Sequence, residues 1–145
     1  MKIFFLTGLL LASYGMACAQ ISRETYLVCD DKVFTQVETL PDFKNGKAAF
    51  EDSLTRELKR KNSYPQKGKI TYGFVLTRQS QLVDVKAVAG EALHEEDIKK
   101  ALMATADKWV PAKQNGHTVC AYIYLTVDFS KEKLETKVYQ KSSDQ

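Results

Sequence analysis

ADKWVPAKQNGHTVCAYIYLTVDF, residues 106–129, is the stretch on which the reading of the fold turns. It begins with a helical look, and Pro111 forbids any continuation of a helix through it. Asn115-Gly116 is the strongest turn pair in the chain. From Val119 the residues alternate without a fault. Val119, Ala121, Ile123, Leu125, Val127 and Phe129 point one way, and Cys120, Tyr122, Tyr124, Thr126 and Asp128 the other. The first set is a core face. The second carries two tyrosines where a purely solvated face would carry charge.

Working backwards, Ile98, Leu102, Ala106 and Trp109 mark the inner stripe of a helix that enters this strand. His94-Glu95-Glu96-Asp97 opens it, with acids at the end the helix dipole favours. Before it lies a hairpin. Ile70, Tyr72, Phe74 and Leu76 alternate over 69–77, Arg78-Gln79-Ser80-Gln81 makes a polar break, and 82–89 forms a second strand ending at Gly90. An earlier helix spans 47–61 on the stripe Phe50, Leu54, Leu58, entered through Asn45-Gly46 and stopped by Asn62, Ser63 and Pro65. Residues 20–40 form a lead-in, where Val33, Thr35 and Val37 suggest a brief strand. Residues 130–145 are a polar tail expected to fray over most of its length, with Leu134, Val138 and Tyr139 as material for one more short element.

These patterns predict an α+β domain over residues 41–129: an antiparallel three-stranded sheet, four-stranded if the lead-in joins it, with two helices packed on one face. Such a sheet has two edges, one of them assigned to 119–129. That edge is either open or covered by residues 25–38 or the tail, and exposed edges are usually protected.

The first residues, MKIFFLTGLLLASYGMACAQ, set one lysine before an apolar run and end in Ala17-Cys18-Ala19. This is the pattern of a secretory signal peptide over residues 1–19, cleaved after Ala19. One alternative is an uncleaved anchor, against which Thr7, Gly8, Ser13 and Gly15 break the apolar stretch; another is a lipidated Cys18, which would bring the chain to a membrane, although Gly15 occupies the place where lipoprotein signals carry a bulky aliphatic residue. Cleavage and lipidation both take the chain out of the cytoplasm, into an oxidising compartment. There Cys29 and Cys120 are permitted to pair but need not, and two unpaired small hydrophobes serve as well. The net charge of +3 is too small to argue for nucleic acid.

No catalytic set, cofactor motif or metal-ligand spacing stands out. The two histidines, His94 and His117, share no His-Glu-x-x-His spacing, and the acids after His94 suit a helix start. Cys120 lies three residues from His117, so the leading enzymatic alternative is a thiol-dependent or redox-active protein using Cys120 and Cys29. A basic stretch, Arg56, Lys59, Arg60, Lys61, Lys67 and Lys69, reads as a solvated face.

Residues 41–129 resemble the C-terminal domain family of TonB, the periplasmic energy transducer, in the form common among Bacteroidota-like sequences. The resemblance runs, in order, through Pro41-Asp42-Phe43 and Gly46, Tyr64-Pro65, Gly68-Lys69-Ile70, Val83-Asp84-Val85, Leu93 with Glu96, Trp109-Val110-Pro111, and Lys113-Gln114-Asn115-Gly116. Tyr64, Pro65, Trp109, Pro111 and Gly116 are structural landmarks in this reading. Pro65 holds Tyr64 extended so that its ring aims toward the sheet, and Trp109 plugs the open end of the core. The resemblance implies a non-enzymatic module without cofactor or metal, binding an extended segment of an envelope protein such as an outer-membrane transporter by strand addition. Tyr122, Tyr124 and Thr126 would flank the contact. With a cleavable leader and only three prolines, hence no proline-rich spacer, the chain is expected to be a stand-alone relative that transduces no energy. Paired sheet edges would make a homodimer.

Overall fold

A computed structural model of the chain describes residues 29–30 and 32–142. The readings that fall on the leader, including cleavage after Ala19 and lipidation at Cys18, lie outside the described residues.

The two helices form where the stripes place them. α1 spans Gly46–Arg60 and buries Phe50, Leu54 and Leu58. Its entry is the Asn45-Gly46 turn, in which both residues take positive φ, 65° and 84°. α2 spans Glu95–Met103 and buries Ile98, Ala101 and Leu102. It stops earlier than the stripe suggested. The hydroxyl of Thr105 donates to the Leu102 carbonyl at 2.5 Å, and a single 3-10 turn, Ala106–Lys108, follows. Such local side-chain bonds compete with helix continuation. Ala106 and Trp109 therefore leave the helix, and Trp109 enters a two-residue strand.

The domain is α+β, as expected, but the sheet is larger than three or four strands. β1 is Val33–Phe34, β2 Asp42–Phe43, β3 Gly68–Leu76, β4 Leu82–Ala92, β5 Trp109–Val110, β6 Lys113–Gln114, β7 His117–Thr118, β8 Cys120–Asp128 and β9 Glu135–Tyr139. Among the described residues the main sheet has five strands in the order β1-β8-β3-β4, with β9 also on β8. β1 lies parallel to β8 and the other neighbours are antiparallel, so the sheet is mixed. Within the tail, the short element suggested by Leu134, Val138 and Tyr139 does form. Leu134 and Thr136 are each 3% exposed, and Thr136 bonds the Glu51 carboxylate through both its backbone N–H (2.6 Å) and its hydroxyl (2.9 Å). Leu134, Thr136 and Val138 keep the same period-two alternation as β8, which is why this part of the tail docks.

The inner faces of β3 and β8 meet both helices in one core. At its centre Trp109 is wholly buried. Phe43 lies 4.5 Å from it, Phe50 5.3 Å and Phe74 5.7 Å between ring centroids. Its indole N–H donates to the Thr105 hydroxyl at 3.1 Å, and its carbonyl accepts from the Ser80 hydroxyl at 2.9 Å. Trp109 is thus the hub of the core rather than a plug at its end. β5 pairs with β2, setting Phe43 opposite Trp109 and Asp42 opposite Val110. Two segments far apart in sequence, Pro41-Asp42-Phe43 and Trp109-Val110-Pro111, are clasped together.

Candidate partner-binding edge

Tyr122, Tyr124 and Thr126 stand on the outer face of β8, away from the helices, each half-buried. The Thr126 hydroxyl is hydrogen-bonded to that of Thr71 on β3 at 2.8 Å. Tyr122 meets Tyr124 edge-on at 5.2 Å, and Tyr124 stacks on Tyr139 of β9 at 5.4 Å, with the Lys141 ammonium 4.8 Å above the Tyr124 ring. Tyr122 leans over Gly73 of β3, where a Cβ would collide with its hydroxyl. Burial, and then the neighbouring Tyr124, push the Tyr122 phenol above its ordinary value. The structure brings these tyrosines together and adds Tyr139, from the short element that the sequence suggested within the tail.

The main-chain edge beneath them is taken. β9 pairs along β8 from Tyr124 opposite Tyr139 to Asp128 opposite Glu135. β1 pairs with Cys120 and Ala121. Between the two, the Gln140 side chain fills the gap: its amide N–H₂ donates to the carbonyls of Tyr122 (2.9 Å) and Phe34 (3.3 Å), and its oxygen accepts from Val37 N–H at 2.9 Å. The sequence allowed either the lead-in or the tail to cover this edge. Both do, and an extended partner has no open pairing edge on β8.

Cys29 and Cys120 form a disulfide, their Cα atoms 5.8 Å apart across 91 residues of sequence. Each is 3% exposed, and they pack with Val75 and against Val33, Val83 and Tyr122. The beginning of the described chain is thereby fixed over the outer face of the sheet, helped by an ion pair from Arg78 to Asp30 at 2.5 Å. Neither cysteine presents a thiol to His117.

The opposite edge is different. β4 has 11 residues and, among the described residues, a strand neighbour on one side only, β3. Lys86, Ala87, Val88, Ala89, Gly90 and Glu91 are all exposed. Val88 is 46% exposed and Leu93, just beyond the strand, 67%. The register slips between Thr71 and Tyr72 and again between Gly73 and Val75, so β4 carries two bulges. Asp84 and Gly90 have positive φ, 55° and 71°. A Cβ at Gly90 would strike the Lys69 carbonyl, so only glycine fits there. The bulges near Asp84 and at Val88 bend β4 as far as Val88; Ala89 to Ala92, the left-handed Gly90 among them, pair in steady register with Thr71 to Gly68. From the sequence Gly90 looked like the strand's end, which hid this longer edge.

Other singled-out residues hold structural posts. The Tyr64 ring meets Phe129 edge-on at 5.5 Å, under the Lys59 ammonium at 5.4 Å, and Pro65 is buried. Pro111 is half-buried after the clasp. Gly116, φ 76°, and Asn115, φ 51°, form the β6–β7 turn. His94 sits exposed before α2 and His117 exposed on β7. The basic stretch is divided among partners: Arg60 and Lys61 face Glu57, and Lys69 faces Asp128. Among the described residues no three His, Cys, Asp or Glu side chains gather as a metal site, and no helix is long and apolar enough to cross a membrane.

No family model, no curated protein and no solved structure matches the chain.

Proposed function

We propose that this protein is a non-enzymatic periplasmic interaction module, related to the C-terminal domains of TonB, that takes a short extended segment of an envelope protein by strand addition, and that the accepting edge is β4. The carrying observation is that β4 exposes Ala87, Val88, Ala89 and Gly90 and, among the described residues, has a strand on one side only. A row of unpaired amides and carbonyls beside small apolar side chains is a template for another chain. Main-chain hydrogen bonds would supply the affinity, and side chains beside the edge the selectivity.

The bulges and the left-handed residues limit what can add. They bend the strand around Asp84 and Val88, so whole sheets cannot align along it. A run of four or five residues remains, enough for a peptide. This favours a short segment over a homodimer made by continuing the sheet. The clasp of Phe43 with Trp109 supports the family reading, because it gives the separated motifs of the resemblance one shared structural purpose.

The test is an NMR titration of the labelled protein with extended peptides from outer-membrane transporters of the same cell. Amide shifts centred on residues 88–93 are expected. Shifts confined to 119–129 would instead mean that a partner displaces β9. A well-folded monomer that answers no peptide at either edge would sink strand addition altogether.

A further inference from the structure

At the end of the open edge lies a pocket of about 410 Å³ lined by Lys67, Gly68, Glu91, Ala92 and Leu93. Its small members are fixed by the backbone. Gly68 takes φ 118°, and a Cβ there would come within 2.8 Å of the Glu91 carbonyl and 3.2 Å of the Ala92 Cα. Gly68 and Ala92 are opposite one another in the last pair of the β3–β4 ladder, so the recess is kept open by the fold. Leu93 is the most exposed large apolar side chain among the described residues. The charged groups of Lys67 and Glu91 belong to exposed residues beside it.

We infer that this recess is an anchor pocket for one large apolar side chain, aromatic or long aliphatic, of the segment that adds to β4. The inference rests on β4 being the accepting edge. An extended chain paired with Ala89 to Ala92 runs to the recess that Glu91, Ala92 and Leu93 line. Its side chains alternate between faces, so one of them is delivered to the recess while its neighbours turn away. Seating it covers Leu93, whose exposure otherwise has no counterpart in the fold. The main chain alone would bind extended peptides of any sequence; the pocket makes the edge choose. The lysine and glutamate beside it admit either an acidic or a basic residue next to the anchor, so apolar bulk is the feature read.

Two capped nine-residue peptides serve as probes, both alternating threonine and valine. One has phenylalanine at its centre and the other alanine. With the labelled full chain, both peptides are expected to shift the amides of Ala89 and Glu91. Only the phenylalanine peptide should move the methyl signals of Ala92 and Leu93, and it should bind about tenfold more tightly, the return on burying one aromatic ring. Leu93→Asp, at a site exposed enough to spare the fold, should erase the difference between the two peptides. Equal affinities with undisturbed Leu93 methyls would overturn the pocket and leave the edge standing. Movement of Leu93 without the β4 amides would overturn the anchor as part of strand addition. Silence at β4 with both peptides would remove the edge, and the pocket's role with it.

Discussion

The side-chain amide of Gln140 hydrogen-bonds the carbonyl of Tyr122 at 2.9 Å, at the one place on the β8 edge where neither β1 nor β9 supplies a backbone partner. The same amide accepts from Val37 N–H and donates to Phe34, so a single side chain joins the lead-in, the long strand and the tail.

Gln140→Ala leaves one half-buried N–H, of Val37, and two half-buried carbonyls, of Phe34 and Tyr122, without this partner. The expected loss of stability is about 1–2 kcal/mol, since groups left unsatisfied cost more than the bond itself is worth. Chemical denaturation gives the magnitude. Hydrogen exchange locates it, because the Val37 amide should lose protection while the amides of β3 keep theirs. Uniform loss across the sheet would contradict a local closure.

The disulfide between Cys29 and Cys120 closes a loop spanning 91 residues of sequence. A crosslink of that length restricts the unfolded chain strongly, and its removal is expected to cost about 2–5 kcal/mol. Unfolding curves with and without reductant measure it. Before reduction, neither Cys29 nor Cys120 should react with an alkylating reagent even in the denatured protein. Labelling at either position would show the pair to be open.

Gly73 is the floor on which Tyr122 rests. Gly73→Ala places a methyl against the Tyr122 hydroxyl, 3.0 Å from the ring carbon that bears it and 3.2 Å from Val88 Cγ1. The ring is held by Tyr124 and cannot swing freely. A loss of about 1–3 kcal/mol is expected, the usual cost of an overpacked contact. Tyr122→Phe removes the atom that collides, so the double variant should recover part of the loss. Additive losses in that cycle would mean the two residues do not press on one another.

Much of this fold is legible in the sequence because most of it is written in periodicity. The stripe Phe50, Leu54, Leu58 and the alternation from Val119 to Phe129 each lead to the observed element. The rest depends on pairing at a distance. Nothing local in Asp42-Phe43 says that it will lie beside Trp109-Val110, and Gln140 carries no mark of the gap it fills. Gly90 misled in an instructive way: a glycine after an apolar run usually ends a strand, yet here it is a left-handed residue inside one, and the open edge continues beyond it. At the candidate edge only the outer face was legible. The alternation showed tyrosines on an outer face, while the choice between edges rested on what the lead-in and tail do.

Asp128 closes the far end of the same strand, and it should give acid sensitivity a definite sign. Its carboxylate accepts from the Ser130 hydroxyl at 2.5 Å and the Ser130 N–H at 2.9 Å, and it lies 3.3 Å from the Lys69 ammonium. The Ser130 bonds first, and Lys69 after them, hold its pKa below the ordinary value of 3.8. The unfolded chain therefore takes up a proton at this position before the folded chain does. The stability that Asp128 contributes is whole above the ordinary value and drains away as the pH falls through the lowered one. Asp128→Asn should weaken the protein at neutral pH and flatten its loss of stability as the pH falls below the ordinary carboxylate value of 3.8. Asp97 and Glu57, also held low, remain in both proteins and keep a common background slope. Urea midpoints measured across that range decide it: parallel curves for the two proteins would mean that Asp128 is no better bound in the folded state than in the unfolded chain.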